Sequence, residues 1–275
     1  MTGPAGTSWR LLDTGSGAGP YNLALDEALF RLTLEGRCPP TVRFYSWSPP
    51  AVSVGYFQAW EKDIDEAACR EEGIEIYRRI TGGRAVLHRD EVTYSVICGR
   101  SGAFFGEGIL PAYRKIGKAL AEGLKNLGVD AEVVVPDAGR APVPRSRHPS
   151  CFSSSIGYEI SAAGKKLVGS AQKRQGDALL QHGSILLDDH GEDFLGLLKG
   201  RHPLREKSLG MASVTDCMGR RPTWKEVVGS LAAGFTSSWQ VSLLPGELTG
   251  EERDLARVLE ATRYRSVLRV SAIKR

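Results

Sequence analysis

The feature that most restricts this fold is a row of three strand-like runs, 156–161, 166–170 and 178–187, separated by breaks of only a few residues. Breaks that short join antiparallel neighbours, because a parallel neighbour needs a crossover of about a dozen residues or more. Upstream, 9–13, 41–47, 51–54, 74–79 and 131–135 also read as strands. The segment 84–97 reads as two more, joined by a polar turn at 88–91. Helical spacing interrupts them irregularly. Leu25, Ala28, Leu29 and Leu32 share one face of a helix that Asn22 is placed to cap and Gly36 to end. Tyr113, Ile116, Leu120, Leu124 and Leu127 share the face of another, and 63–72 reads as a polar helix. Beyond residue 193 the pattern is mostly helical, at 193–198, 223–235 and 246–262. Strands and helices mixed without regular βαβ alternation point to the α+β class, a mixed, mostly antiparallel sheet flanked by helices. The expected division is a catalytic domain over 9–222 and a helical C-terminal extension over 223–275.

A chain of 275 residues has enough interior for a sizeable core. It contains no run of eighteen apolar residues, so no transmembrane helix is expected. Residues 1–8 lack both a basic start and an apolar stretch, unlike a secretory signal. The cysteines, Cys38, Cys69, Cys98, Cys151 and Cys217, are odd in number and form no CxxC pair. That argues against a disulfide framework and a structural zinc site, and a reducing cytoplasm is the expected compartment. The net charge of +4 is spread along the chain rather than gathered into a basic stripe, so nucleic acid is not an expected partner. A mild positive bias fits either steering of an acidic protein partner or an ordinary solvated surface. A monomer is the default expectation.

Three segments have compositions that packing alone does not explain. In Arg78-Arg79-Ile80-Thr81-Gly82-Gly83-Arg84, two glycines between strands allow positive φ and close backbone approach to a ligand. The flanking arginines suit a carboxylate or phosphate, although a plain hairpin turn has the same composition. Neither a GxGxxG fingerprint nor a Walker A loop is present. Cys151-Phe152 ends a Pro- and Arg-rich loop over 137–149, after Arg145, Arg147 and His148. Nearby positive charge raises the thiolate fraction, whereas a lone cysteine can equally be a small buried hydrophobe. The other four cysteines sit in patterns that read as structural. The third segment runs from Gly164 to Arg174 and is followed by Leu180-Gln181-His182-Gly183-Ser184. Strand alternation puts Lys166 and Val168 on one face, with Leu167 and Gly169 on the other. Lys166 could then enter a cleft as a proton donor beside a thiolate, or be an exposed strand lysine. His182 is open to both readings, catalyst or hydrogen-bonded core residue.

Together with Trp9-Arg10, Asn22-Leu23-Ala24-Leu25-Asp26-Glu27-Ala28, Arg43 to Trp47, Ser53 to Gln58 and Glu91 to Val96, these segments resemble the lipoate- and biotin-protein ligase superfamily. Within it they resemble the octanoyltransferases, over most of residues 9–190. The resemblance implies the fold of biotin and lipoate protein ligases, related to class II aminoacyl-tRNA synthetases. It implies that Cys151 carries an octanoyl thioester and that Lys166 lowers its pKa. Arg79, Gly82, Gly83, His88, Gly169, Ser170, His182 and Gly183 would bind the substrate. The implied donor is octanoyl-acyl carrier protein, and the acceptor a lipoyl domain such as the glycine cleavage H protein. No metal or other cofactor is implied. Lipoate-protein ligases of the superfamily make an acyl-adenylate from ATP and carry an Asn-Asp pair about where Cys151-Phe152 stands. An amidotransferase branch and a non-catalytic carrier-binding module are the remaining alternatives. Arg89, where an Asp is expected, and Ser153-Ser154 depart from the pattern.

Overall fold

The computed structural model describes residues 8–99, 104–106, 108–134, 159–199 and 211–264. Its strands are β1 (Ser8–Gly17), β2 (Thr41–Trp47), β3 (Ala51–Val54), β4 (Glu75–Arg78), β5 (Val86–His88), β6 (Glu91–Cys98), β7 (Ala131–Val134), β8 (Glu159–Ala162), β9 (Lys165–Gln175), β10 (Ala178–Leu186) and β11 (Ser242–Pro245). Eight of them form one sheet in the order β11-β1-β2-β6-β10-β9-β8-β7, and β4-β3-β5 form a second. Among the described residues of the large sheet, only β1 with β2 and β1 with β11 are parallel. The expected α+β class with a mixed, mostly antiparallel sheet is what the chain adopts.

The helices are α1 (Gly19–Leu34), α2 (Glu66–Glu71), α3 (Ile109–Asn126), α4 (Gly191–Gly196), α5 (Val214–Met218), α6 (Trp224–Trp239) and α7 (Gly250–Thr262). α1 starts three residues before Asn22, with Pro20 in its first turn, where no amide donor is needed. Asn22 is therefore not a cap. Its amide instead donates to the carbonyls of Gly17 and Ser46, tying the helix to the ends of β1 and β2. Gly36 follows the helix at φ +71°, as expected of a terminating glycine. The polar helix expected at 63–72 is shorter, because Asp65 caps α2 by accepting from the amides of Ala67 and Ala68. Strand β11 escaped the sequence pattern. It is four residues long, ends in proline and pairs only at the sheet edge.

α3 and α6 cover one face of the large sheet and close the main core around Phe44, Tyr94, Val168, Ile185 and Phe235. α1 covers the other face and is backed by α7. Arg10 of β1 grips the buried Glu252 of α7 with two hydrogen bonds of 2.9 and 2.6 Å. Tight turns set the register of the strands that matter most for function. Ala163 and Gly164 both have positive φ between β8 and β9, the pairing of a two-residue hairpin turn. Gly183 in β10 has no room for a side chain. A Cβ there would stand 2.6 Å from the Gly169 carbonyl oxygen and 2.7 Å from the Tyr94 ring.

Gly183→Ala is accordingly expected to cost about 1–3 kcal/mol by overpacking. Gly229→Ala in α6, where an added Cβ meets nothing within 4 Å, should shift stability by no more than about 1 kcal/mol. Denaturant midpoints of the two variants check the difference.

Candidate functional site

A cavity lies between the two sheets. Its wall is made by Leu23 of α1, Tyr45 and Trp47 of β2, Ser53 of β3, Arg79, Val86 and His88, Thr93 of β6, Gly169 to Ala171 of β9 and His182 to Ser184 of β10. Six residues singled out from the sequence meet here: Arg79, His88, Gly169, Ser170, His182 and Gly183. Gly82 and Gly83 are not on this wall. Gly83 abuts Gly55 so closely that a Cβ on Gly55 would sit 2.0 Å from the Gly83 carbonyl oxygen. The close approach these glycines permit is between two stretches of the chain's own backbone. Cys151 lies outside the described residues.

The polar side chains of the wall are hydrogen-bonded mainly to one another. Arg79 is the centre. Its Nε donates to Thr81 Oγ1 at 3.1 Å, and its Nη1 donates to Ser53 Oγ at 3.0 Å and to the Ser53 carbonyl at 2.9 Å. Its Nη2 donates to the carbonyls of Gly82 and Arg84 at 2.8 and 2.7 Å. Arg78 Nη1 is likewise spent on the carbonyls of Gly55, Tyr56 and Gln58. From sequence these arginines are open to two readings, an anion site or a plain turn. The structure uses both arginines to fasten loops.

An arginine cannot accept, so its two hydroxyl partners must pass their own protons outward. Thr81 donates to His182 Nε2 at 2.7 Å, which leaves His182 Nδ1–H to donate to Asp26 Oδ2 at 3.1 Å. Ser53 donates to His88 Nε2 at 2.8 Å, which leaves His88 Nδ1–H to donate to Glu91 Oε1 at 2.8 Å. Each imidazole is thus held between a hydroxyl and a carboxylate, in the same tautomer. Thr93 donates to Glu91 and accepts from Trp47 Nε1 at 3.0 Å, while the Trp47 ring stacks on His88 at 3.8 Å. At the other end Asp26 accepts from Arg43 at 2.7 Å, Tyr45 at 2.8 Å and Ser95 at 3.0 Å. The exception is Ser184, a buried wall residue whose hydroxyl makes no hydrogen bond.

The electrostatics agree with this order of protons. Burial alone would raise the Asp26 carboxyl. Arg43, then His182 and Tyr45, outweigh it and hold Asp26 below its ordinary value of 3.8. Burial pushes His182 below 6.5, only partly opposed by Asp26, so its ring is neutral at pH 7.

Lys166 is placed by an irregularity. Ile160 of β8 pairs with Val168 and Ser161 pairs with Lys166, so Leu167 is skipped as a β-bulge. Ile160 and Ser161 point to opposite faces, and cross-strand partners share a face. Lys166 and Val168 therefore lie on opposite faces, against the simple alternation expected from the sequence. Val168 and Leu167 both join the main core. Lys166 is turned to the face that carries Gly169, His182 and Ser184. There its Nζ meets Glu159 Oε1 at 2.5 Å. The described cysteines are poor nucleophiles by comparison. Burial pushes Cys69 and Cys98 up to about 12 and raises Cys38 and Cys217 as well.

Sequence reasoning missed Asp26, Arg43, Ser53, Thr81, Glu91 and Glu159 as parts of this arrangement. One signal was available: Asn22 and Asp26 are four residues apart on a mostly apolar helix, hence on one face. Breaking the buried Asp26–Arg43 pair by Asp26→Asn is expected to cost about 3–5 kcal/mol. In the wild type, stability should fall as pH drops below 6.5, because the unfolded chain's histidine takes a proton that buried His182 resists. The contribution of Asp26 is present above 3.8 and is lost as pH falls through its lower folded value. Urea midpoints taken from about pH 2 to about pH 7.5 test both statements.

The lipoyl protein ligase A/B catalytic domain family model matches residues 19–236. An octanoyltransferase LipM of Moorella thermoacetica is 43% identical over 267 residues, 94% of this chain and 96% of that protein. One of Bacillus subtilis is 36% identical, again over 94% of this chain and 96% of that protein. Among solved structures, a lipoate-protein ligase A bound with ATP aligns with a TM-score of 0.75 at 28% identity, over 93% of this chain and 95% of that one. Protein Ta0514 of T. acidophilum with bound lipoic acid aligns with a TM-score of 0.72 at 26% identity, over 93% and 98%. Family match, full-length relatives and shared architecture agree, and the chain belongs to the lipoyl protein ligase A/B catalytic domain family.

Proposed function

We propose that this enzyme is a protein N-octanoyltransferase. It takes an octanoyl group from octanoyl-acyl carrier protein onto Cys151 as a thioester and passes it to a lysine of a lipoyl domain, such as the glycine cleavage H protein. The observation that carries this reading is the satisfied polar wall. Ser53, Arg79, His88, Thr93 and His182 spend their hydrogen bonds on one another and on neighbouring backbone and carboxylates. A wall whose polar atoms are already paired makes little demand for water, and an alkyl chain can lie against it beside Leu23, Trp47 and Val86. Ser184, with its hydroxyl unspent, offers a donor to the acyl carbonyl.

The chemistry then needs a nucleophile and a proton carrier. The described cysteines are held as thiols by burial, which leaves Cys151, beside Arg145, Arg147 and His148 in the sequence, as the candidate thiolate. Lys166, on the cavity face of β9, is the candidate proton carrier. Its ammonium favours the thiolate and can protonate the departing carrier thiol, and the resulting amine can take a proton from the incoming lysine. The scheme needs neither ATP nor metal. Similarity to an ATP-bound ligase keeps an adenylating route as the second reading.

Incubation with octanoyl-acyl carrier protein in the absence of ATP should add the mass of one octanoyl group. The adduct should be released by hydroxylamine and be missing in Cys151→Ser. Acyl transfer to a lipoyl domain that appears only with ATP would support the ligase reading and end this one. Lys166→Ala should slow formation of the adduct by about 10²-fold or more in a quenched-flow measurement.

A further inference from the structure

We infer that Glu159 is a positioning residue for acyl transfer, fixing the Lys166 ammonium over the cavity face of the sheet. The inference rests on the reading that Lys166 moves protons in the reaction. The bulge at Leu167 turns Lys166 away from the main core, but a bulge sets only the direction in which a side chain leaves the backbone. A lysine has four further rotatable bonds and about 2 kcal/mol of rotamer entropy. Something must select one position for Nζ. Glu159 does so through a 2.5 Å contact in which the two side chains are 10% and 21% exposed. Most surface ion pairs are held by neither burial nor backbone, and contribute little. This pair is sheltered, and both backbones are fixed. Glu159 of β8 pairs with Val134 of β7, and the Lys166 carbonyl accepts from the amide of Ala212 at 2.9 Å.

Glu159 and Lys166 do not sit directly opposite each other. The register partner of Lys166 is Ser161, two residues along β8 on the same face, and its buried hydroxyl makes no hydrogen bond. The lysine thus reaches along the sheet to Glu159 and leaves its nearest cross-strand hydroxyl without a bond. The side chain is directed diagonally, a more specific arrangement than a general need for charge neutralisation would produce.

Through the reaction Glu159 gives and takes no proton. The Cys151 thiolate attacks the donor carbonyl, the new carbon–sulfur bond forms, and the bond to the carrier sulfur breaks. The carrier thiolate takes a proton from Lys166, which becomes an amine. In the second half the acceptor ammonium passes one proton to Lys166, and its freed lone pair attacks the acyl-cysteine. The second nitrogen proton leaves to water and Cys151 departs as thiolate. Lys166 cycles between ammonium and amine, and both forms can donate a hydrogen bond to the Glu159 carboxylate, so Nζ keeps its place.

The test is single-turnover formation of octanoyl-enzyme from octanoyl-acyl carrier protein, with the rate constant read apart from the donor concentration at half-saturation. Glu159→Ala should lower the rate constant by roughly 10- to 100-fold at unchanged half-saturation, the scale of a misplaced reacting group. Glu159→Gln, which keeps an acceptor of the same size and guards against a folding defect, should recover part of the loss. A wild-type rate in both variants, with Lys166→Ala inactive, would show the ion pair to be structural and overturn the inference. A wild-type rate in Lys166→Ala would instead remove the reading on which it rests.

Discussion

The buried ion pair between Asp26 and Arg43 is the interaction on which the site is built. Both side chains are essentially inaccessible, at 1% and 0% exposure, and an isolated charge in such a place is too costly to persist. Arg43 belongs to β2 and Asp26 to α1, so the pair fixes the helix on the sheet. Arg43 adds bonds to the Asn22 side chain and carbonyl and to Thr14, and its guanidinium lies 3.8 Å from the Tyr45 ring centroid. The carboxylate has acceptor capacity left over, and Tyr45, Ser95 and His182 fill it. One helix residue thus gathers side chains from β2, β6 and β10, the central strands of the large sheet.

From there the order of donors runs outward to the small sheet. Because Arg79 can only donate, Thr81 and Ser53 must each face a histidine with a proton, and each histidine must face a carboxylate. The cavity is therefore bounded by groups whose orientations determine one another, and no single ring can turn without leaving a neighbour unsatisfied. Such a wall is rigid and chemically quiet. The histidines act here as struts, in the tautomer that occupies both nitrogens, which explains how a pocket lined by ionisable residues can suit an apolar chain. Reactivity is left to groups outside this closed set: Ser184, Lys166 with Glu159, and, on the proposed reading, Cys151.

How much of this was legible depended on whether local pattern or long-range pairing decided the matter. The antiparallel run from β8 to β10 follows from short breaks and strand composition, and α1 and α3 follow from helical spacing. Arg79, His88, Gly169, Ser170, His182 and Gly183 meet on one wall, while Gly82 and Gly83, which the family resemblance groups with them, do not. Strand alternation sets Lys166 opposite Leu167, as found, but on the same face as Val168, which the bulge reverses. A bulge depends on how β8 is registered against β9, and a sequence alternating around Leu167 carries no mark of the skipped residue. Asp26 was hidden for a related reason. A carboxylate amid apolar residues on a helix signals a buried partner, but Arg43 lies 17 residues away on a strand, and only the packing of helix on sheet brings them together.

An ATP-bound lipoate-protein ligase A and an octanoyltransferase LipM are both similar to this chain over nearly all of its length, so the fold cannot by itself separate two chemistries. What separates them is how the acyl group is activated. A ligase starts from a free acid and must supply energy, whereas a transferase receives a thioester and needs only to conserve it. Conserving it requires a sulfur nucleophile and a nearby proton carrier, and no strong grip on a triphosphate. Arg78 and Arg79 of the Arg-Gly-Gly segment, which a phosphate-binding reading would recruit, are here engaged with carbonyls and hydroxyls. Their commitment to fastening loops fits the proposed reading, in which the acyl chain arrives already activated and Lys166, paired with Glu159, moves the protons.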